Sequence, residues 1–471
     1  MSSTTTRARG ATTFWLCAQS RVLWSLRPAN TTSARRFRLS GRAPGIRGGS
    51  TALRSGPEAG VGSLGPAPTL EACLERIERV DPQAYARTRN HLLGAVTGLS
   101  PWITHGMVTL REVAALLHRR HRLEVQHKLV FELGWRAYFR HVWAHRKGGI
   151  RASLHPGPLP DSAYASRLPP DIREARCGVP AVDQAIRTLY STGLLHNHAR
   201  MWLASYVVHL RRIHWRAGAD WMIGHLLDGD LASNHLSWQW VAGTASRKPY
   251  LFNAENVARY APREWWSPAS AIDRSYAELE TIARGAAPTA PPASLPAAQP
   301  AAPPASLPAA PAARPGGIDE PAPASLESTP ATTLPLVLEA EAVWVLHPWA
   351  LRAPAPHPQG KTWTVVGCLP HEAMGQHAWS ARRLAWVSEA LRNQARHLYR
   401  SFDDLADAVQ PGRMIGTWAE PHLSPFLGAR ITGFEERPLF APVARRCDSF
   451  SRWWTVATTN IRTLEELLDS T

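Results

Sequence analysis

Asn197, Arg200 and Met201 combine an amide, a guanidinium and a thioether within one short segment. On a helix, their i, i+3 and i+4 spacing places them on one face. An amide and a guanidinium on an otherwise apolar face need buried partners or a polar ligand. The residues alone therefore leave two interpretations open, an Arg paired with a structural carboxylate or a ligand site.

A second segment, Asp228-Gly229-Asp230, is followed by Asn234 and then by Trp238-Gln239-Trp240. Two aspartates around a glycine suit a turn or a helix cap. They also resemble a fragment of a metal loop, but the other ligands of a calcium loop are missing. The five cysteines form no C-x-x-C pair, so we predict no metal site.

The surrounding residues, roughly 69–275, read as helical, so we predict a mostly α domain over residues 66–285. Thr109 and Glu112 form a capping box, and apolar residues follow at helical spacing. Residues 335–471 alternate strands and helices, which predicts a smaller C-terminal α/β domain. The predicted helices are 113–120, 127–146, 181–190, 197–215, 219–227, 380–400 and 402–409, and the predicted strands are 342–346, 362–366 and 414–418.

Two further segments stand apart by composition. Residues 1–57 hold ten Arg and no Asp, Glu or Lys, which suits either an organelle transit peptide or a start codon assigned too early. We expect residues 1–65 to be disordered. Residues 286–334 are dominated by Pro and Ala and predict a flexible, removable linker. We accordingly expect residues 66–280 to bind their ligand in isolation.

Six segments in order resemble the flavin-binding domain of the photolyase and cryptochrome family, over roughly residues 70–260. The likeness includes the family's T-x-L-S-P-Y-L-x-x-G, E-L-x-W-R and G-x-P-x-V-D patterns. The matching segments are 97–106, 132–136, 177–183, 193–201, 228–234 and 238–240.

The resemblance implies bound FAD and a set of residues around it, the predicted flavin set. Hydroxyl and backbone groups would lie along the phosphates and ribityl chain, the pair Arg200–Asp228 beside the ring, Asp230 at its polar edge and Asn234 at N5. A second, antenna chromophore is left open. The predicted flavin set is Tyr85, Thr97, Leu99, Ser100, Arg200, Asp228, Asp230 and Asn234.

The resemblance also implies a pocket for a flipped pyrimidine dimer, formed by the predicted lesion set: Glu132, Trp135, Asn197, Met201 and Trp240. Trp238 and Trp215 match the first two members of the family's electron-transfer chain. No tryptophan lies between Trp143 and Trp202 to supply the third, and Tyr164 is the nearest aromatic candidate. The family's α/β antenna domain usually comes first, whereas here the α/β residues follow the helical ones.

The net charge of +16 favours a polyanionic partner, and we expect DNA carrying pyrimidine dimers, with Arg136 and Arg140 among its contacts. No apolar run reaches the length of a membrane span. We expect a cytoplasmic monomer, or an organelle protein if residues 1–57 are a transit peptide.

Three functions remain open from the sequence. The first is a light-dependent lyase that splits cyclobutane pyrimidine dimers by electron transfer from reduced FAD. The second is a cryptochrome-like photosensor or regulatory flavoprotein without repair activity. The third is a degenerate relative that binds FAD weakly or not at all.

Overall fold

The computed structural model describes residues 65–286, 340–374 and 379–470. The first range is helical, and the other two contain a small parallel sheet with helices. A helical part and an α/β part are therefore present, as the predicted fold class requires. The Arg-rich N-terminal segment and nearly all of the Pro/Ala linker lie outside the described residues, so those two predictions are not addressed by the structure.

The helical part, residues 65–286, is built from twelve described α-helices joined by turns and loops. Their bounds are α1 Leu70–Glu78, α2 Pro82–Thr88, α3 Ser100–Thr104, α4 Leu110–His121, α5 Lys128–Arg146, α6 Pro170–Arg173, α7 Pro180–Thr192, α8 Asn197–Ser205, α9 Trp215–His225, α10 Leu231–Ala242, α11 Ala254–Tyr260 and α12 Tyr276–Ala283.

Local sequence signals start several of these helices where they were predicted. The capping box of Thr109 and Glu112 is formed at the start of α4, and it satisfies two backbone N–H groups that the helix leaves free. Pro180 is the first residue of α7, a position at which its missing N–H costs nothing.

The single helix predicted over residues 197–215 is wrong. Helix α8 ends at Ser205, a π-helical turn covers Tyr206–Leu210, and α9 begins at Trp215 with His214 as its cap. The periodicity of the apolar residues continues across the break, which explains why the pattern did not reveal it. Trp215 consequently stands at the start of α9 instead of at the end of α8.

The α/β part, residues 340–374 and 379–470, holds five parallel strands in the order β3-β2-β1-β4-β5. Parallel strands need crossovers, and described helices lie in the connections from β2 to β3 and from β3 to β4. The strands are β1 Ala342–Leu346, β2 Thr364–Cys368, β3 Leu398–Tyr399, β4 Met414–Trp418 and β5 Ile431–Phe434, and the helices are α13 His371–Met374, α14 Ala381–Arg392, α15 Phe402–Ala408, α16 Phe450–Ala457 and α17 Leu464–Asp469.

Helix α14 is shorter than the predicted helix over residues 380–400. It ends at Arg392, and Leu398 and Tyr399 pair with Gly367 and Cys368 of β2 instead. The strand partner is remote in sequence, so helical periodicity alone overestimates the length of α14.

The two parts share one hydrophobic core. Phe131 stacks on Trp454 with ring centroids 4.2 Å apart, and Trp135 stacks on Phe450 at 4.1 Å and an interplanar angle of 9°. A side chain at Gly134 would come within 2.5 Å of the Trp454 ring, so the glycine lets α16 lie against α5. The described residues of both parts lie in one compact unit. The expectation that residues 66–280 bind their ligand in isolation stays a prediction, and the shared core argues against it.

Polar contacts cross the same boundary. His105 is fully buried, its Nε2 lies 2.9 Å from the Leu227 carbonyl, and its Nδ1 contacts the Pro348 carbonyl. The Ser380 N–H donates to the Gly224 carbonyl at 2.9 Å. Burial leaves such groups no water to bind, so the two parts satisfy each other's backbone as well as covering each other's apolar surface.

Candidate functional site

The turn between α9 and α10 holds the two aspartates singled out by the sequence. Asp230 caps α10, and its Oδ2 accepts hydrogen bonds from the Ser233 N–H at 2.9 Å and the Ser233 hydroxyl at 2.7 Å. The helix-cap interpretation of this segment is therefore correct. It does not exclude a ligand role, because Asp228 lies two residues before the cap.

Asp228 and Arg200 form the ion pair that the sequence predicted. One guanidinium nitrogen of Arg200 lies 2.9 and 2.8 Å from the two carboxylate oxygens, and the Asp228 side chain is 4% exposed. Burial raises the pKa of Asp228, but Arg200 and the Ser100 hydroxyl outweigh it and hold the pKa below its usual value. The structure thus brings three members of the predicted flavin set together as one charged cluster.

Asp230 is paired from the other side of the turn. Its Oδ1 lies 2.5 Å from Arg140 and 3.8 Å from Arg136, and its side chain is fully buried. Arg140 also reaches Glu420 of the α/β part at 2.5 Å. Burial alone would raise the pKa of Asp230, but the two guanidinium groups lower it far below its ordinary value.

These contacts correct the expectation that Arg136 and Arg140 contact DNA. Both side chains are directed at buried carboxylates, and only 17% and 25% of their surfaces remain exposed. A phosphate contact of either side chain would have to compete with these carboxylates.

The residues predicted along the phosphates lie on the loop before α3 and on α2. Arg76 shapes the loop by donating to the Thr97 carbonyl at 2.6 Å and to the Val96 carbonyl at 2.7 Å. Gly98 has φ +65° with Arg76 atoms 3.0 Å from where a Cβ would stand, a conformation and a space that favour glycine. Leu99 is 1% exposed in the core, so the role predicted for it would have to be carried by its backbone.

Glu132 of the predicted lesion set is connected to Tyr85 of the predicted flavin set by Arg89. The Arg89 guanidinium lies 2.8 Å from the Glu132 carboxylate and 5.9 Å from the centre of the Tyr85 ring. Burial raises the pKa of Glu132, and Arg89 opposes this without cancelling it. The sequence did not single out Arg89, although its i+4 spacing from Tyr85 was a usable signal.

The other members of the predicted lesion set lie on different elements. Asn197, at the start of α8, contacts Met201 one turn later with 3.4 Å between its amide nitrogen and the sulfur. Trp135 stacks on Phe450, and Trp240 lies 5.7 Å from Tyr250. The structure therefore brings Asn197 and Met201 together, while a common pocket for all five residues stays a prediction.

Asn234 and Trp238 lie one turn apart on α10, and both pack against α9. The Asn234 amide nitrogen donates to the Ala219 carbonyl at 2.9 Å. A Cβ on Gly218 would fall within 2.3 Å of the Trp238 ring, so this glycine makes room for the tryptophan.

A row of rings runs from Trp215 to Tyr164. Trp215 lies three residues before Gly218 on α9 and is 2% exposed. His214 lies 5.5 Å from Trp215 and 6.3 Å from Tyr164, measured between ring centroids. Tyr164 is thus connected to Trp215 through His214, and its role as the third donor stays a prediction.

A cavity of about 570 Å³ lies between the two parts. Its helical wall includes Trp143, Arg151 and Leu231, and its α/β wall includes Trp349 and Trp379. Aromatic walls with a basic side chain suit a planar, negatively charged ligand. The cavity adjoins the Asp230 turn through Gly229 and Leu231.

Within the described ranges, no three His, Cys, Asp or Glu side chains are placed to hold a metal ion. Over the same residues, none of the helices combines the length and the apolar character that crossing a membrane requires.

Residues 129–266 match the family model described as the FAD binding domain of DNA photolyase. The chain is 33% identical over 190 residues to a cryptochrome DASH of Gloeobacter violaceus, covering 38% of this chain and 37% of that protein. It is 33% identical over 207 residues to a deoxyribodipyrimidine photo-lyase of Synechococcus sp., covering 40% of each. The chain thus spans about two fifths of the length of these curated relatives.

Solved structures give similar partial matches. A cryptochrome from Synechocystis sp. is 26% identical with a TM-score of 0.37, covering 41% of this chain and 44% of that chain. An archaeal photolyase from Sulfolobus tokodaii, solved with two FAD molecules, is 25% identical with a TM-score of 0.34, covering 40% and 43%.

The residues present fit FAD chemically. Arg200, Asp228, Asp230 and Asn234 lie inside the matched segment, and the first two form a buried charged pair. Ser100 reaches this pair from outside the segment. Charged and amide groups held in a buried cluster suit the polar edge of an aromatic cofactor, while hydroxyl and backbone groups suit its phosphates.

Proposed function

Because residues 129–266 belong to the FAD-binding domains of DNA photolyases, we propose that this protein is a flavin-dependent lyase that splits cyclobutane pyrimidine dimers in DNA under light. The observation that carries the proposal is the buried Arg200–Asp228 pair within that segment. It argues against the degenerate alternative, because a chain that had lost its cofactor would have no need of a desolvated ion pair at this place.

Reduced FAD, when bound, would supply the electron that opens the cyclobutane ring. The chain's own residues would bind the lesion and exclude water. The raised pKa of Glu132 favours a carboxyl that can donate a hydrogen bond to a thymine carbonyl. The indole faces of Trp135 and Trp240 would hold a base that has left the stack, and the Asn197 amide would contact its polar edge.

Trp238, Trp215 and Tyr164 would serve the same site as electron donors. All three rings are at least partly buried, and short ring separations favour stepwise transfer between aromatic side chains. His214 stands between the last two, so it would set the distance of the final step.

A second candidate is a photosensor of the cryptochrome type. One observation favours it: the ring of Trp135, predicted to face the lesion, is stacked on Phe450 of the α/β part. In this alternative, Trp135 is a packing residue and the flavin site is kept without a lesion pocket.

The deciding experiment uses the full chain with FAD and an oligonucleotide carrying one thymine dimer. Blue light should restore intact thymines, whereas dark samples and an undamaged oligonucleotide should remain unchanged. Glu132→Gln, which retains the shape of the side chain, should slow repair. Asn393→Asp, at an exposed position directly after α14, should not. A flavin-loaded protein that shows no repair would favour the photosensor.

DNA binding should depend on salt. Contacts between basic side chains and phosphates release counterions, so affinity should fall steeply between low and physiological ionic strength. The net charge of +16 motivates this expectation. A flat response would contradict DNA as the partner. We expect the protein to bind DNA as a monomer, which sedimentation of the complex would check.

The cavity between the two parts is the place that we propose for a second chromophore. The rings of Trp349 and Trp379 meet at 80°, so one would stack on a planar ring while the other meets its edge. Arg151 would pair with an anionic group on the same ligand. The absorption spectrum of the purified protein, after subtraction of the FAD bands, would show the second chromophore, and Arg151→Met should reduce its content. A spectrum accounted for by FAD alone would contradict this assignment.

A further inference from the structure

Arg383 extends from α14 of the α/β part into the helical part and is 1% exposed. Such a side chain is rarely buried unless its charge and donors are engaged. One guanidinium nitrogen donates to the Ile223 carbonyl and the other to the Gly229 carbonyl, both at 2.7 Å. The guanidinium also lies 3.9 Å from the centre of the Trp379 ring.

The first acceptor is a carbonyl that α9 leaves free. Ile223 lies in the last turn of α9, and the N–H that would continue the helix to it, that of Leu227, donates to Gly193 instead. Carbonyls at the C-terminal end of a helix carry a partial negative charge and favour a cation. Arg383 therefore supplies both the hydrogen bond and the charge that the end of α9 lacks.

The second acceptor is the peptide between the two site aspartates. A Cβ on Gly229 would lie 2.5 Å from the Arg383 guanidinium and 2.5 Å from the Ile223 carbonyl. No other residue type fits this space without moving one of them. Glycine at position 229 is thus explained by the approach of Arg383, an explanation that the turn alone does not give.

The charge of Arg383 also interacts with Asp228 and Asp230. Asp228 and Asp230 stand on either side of Gly229, and both carboxylates stabilise the charged guanidinium. Burial nevertheless lowers the pKa of Arg383 to about 9. Burial therefore disfavours the charged guanidinium. Its contacts with the turn that carries Asp228 and Asp230 offset this cost.

We propose that Arg383 is a positioning residue for FAD: through Ile223 and Gly229 it fixes the turn that presents Asp228 and Asp230, so the α/β part completes the flavin site. The proposal rests only on FAD binding and not on the repair activity proposed above. It implies that the helical part alone binds FAD more weakly than the full chain.

The test measures FAD affinity and the reduction potential of bound FAD in the full chain, for Arg383→Met, Arg383→Gln, Arg383→Lys and Arg392→Met. Loss of two charge-assisted hydrogen bonds should weaken FAD binding about tenfold or more in Arg383→Met and Arg383→Gln. Arg383→Lys keeps the charge and should remain closer to wild type. Arg392 is exposed on the same helix, and its variant should match wild type.

The reduction potential of bound FAD distinguishes a positioning role of Arg383 from a general destabilisation of the fold. Removing a cation near the flavin disfavours its anionic reduced form, so the potential of FAD bound to Arg383→Met or Arg383→Gln should become more negative. Arg383→Lys should leave it close to wild type. Wild-type affinity and potential in Arg383→Met would overturn the proposal. If Arg383→Met does not fold, equal and wild-type values in Arg383→Gln and Arg383→Lys would overturn it instead.

A failure of the Arg383 proposal can be distinguished from a failure of the proposed repair activity. A wild-type protein that binds FAD but leaves thymine dimers intact would remove the repair proposal and leave the comparison of Arg383 variants valid. FAD content and potential are read without any DNA.

Discussion

The charged residues of the predicted flavin set and the tryptophans of the predicted lesion set are held in different ways. Arg200, Asp228 and Asp230 are fixed by buried ion pairs, whereas Trp135 and Trp240 are fixed by contacts with other rings. Ion pairs in a buried site demand one geometry, because a displaced partner leaves an unpaired charge. Ring contacts tolerate sliding and repacking. Charge therefore holds Arg200, Asp228 and Asp230 in one geometry, whereas the positions of Trp135 and Trp240 depend on the rings that pack against them.

The largest effect is expected at the centre of the charged cluster. Asp228→Asn removes the charged partner of Arg200, and Arg200 is 28% exposed, so part of the cost will be relieved by water. We expect FAD affinity to fall by about 10- to 100-fold, measured by fluorescence of released flavin. Glu174→Gln, at the exposed Arg176–Glu174 pair, should retain FAD. Equal retention in both variants would show that charge does not organise the flavin set.

Arg140→Met should be the next most harmful change, because it leaves both Asp230 and Glu420 without their shared cation. We expect a loss of about 2–3 kcal/mol in the free energy of unfolding, read from urea denaturation. Arg146→Met breaks a more exposed pair with Asp448 and should cost less than about 1 kcal/mol. Similar midpoints for the two variants would mean that the network contributes no more than a surface ion pair.

Acid should weaken the ion-pair network of Arg140, Asp230 and Glu420. Burial raises the pKa of Glu420, but Arg140 and His422 outweigh burial and lower it from 4.5 to about 2. A carboxyl with a lowered pKa contributes stability above its unfolded pKa and loses it as pH falls through the folded value. Wild-type stability should therefore decline between pH 4.5 and about 2, and Glu420→Gln should flatten part of that decline. An unchanged slope would contradict the charged pair.

A smaller effect, confined to the lesion side, is expected at Phe450. Phe450→Leu removes the ring stacked on Trp135, so the affinity for a thymine-dimer oligonucleotide should fall about tenfold, as loss of a well-packed aromatic pair suggests. FAD content should not change. Phe434→Leu alters the aromatic cluster around Trp344 within the sheet and serves as the control. If Phe450→Leu lowers the FAD content together with the affinity for the oligonucleotide, the predicted flavin set and the predicted lesion set are not independent.

The smallest effect is expected at Tyr164. Tyr164→Phe should slow blue-light photoreduction of FAD only several-fold, since the earlier donors remain. Trp238→Phe, which removes the ring packed on Gly218, should abolish photoreduction with FAD still bound. A wild-type rate in Tyr164→Phe would place the terminal donor elsewhere, and a wild-type rate in Trp238→Phe would rule out the route itself.

The sequence was most informative where contacts are short-range or follow a known pattern. The capping box of Thr109 and the strand Ala342–Leu346 are formed as predicted. The Arg200–Asp228 pair is also formed. It could be predicted because the resemblance supplied two positions that periodicity alone could not connect.

The contacts between the two parts could not be predicted in the same way. Glu420 meets Arg140 across 280 positions, and Arg383 meets Ile223 across 160. Nothing in the local pattern around either residue indicates such a partner. The basic side chains of Arg136 and Arg140 therefore predict DNA contacts, whereas the structure places both beside the buried Asp230 carboxylate.

The shared core makes the helical part and the α/β part depend on each other for burial of their apolar surfaces. Rings of α16 interlock with those of α5, so the contact between the two parts resembles an obligate subunit interface. A gene split between codons 286 and 340 would then yield two polypeptides that assemble as a heterodimer. Flavin colour would appear only when both are present, and this would make the molecule a split reporter whose signal is its own cofactor.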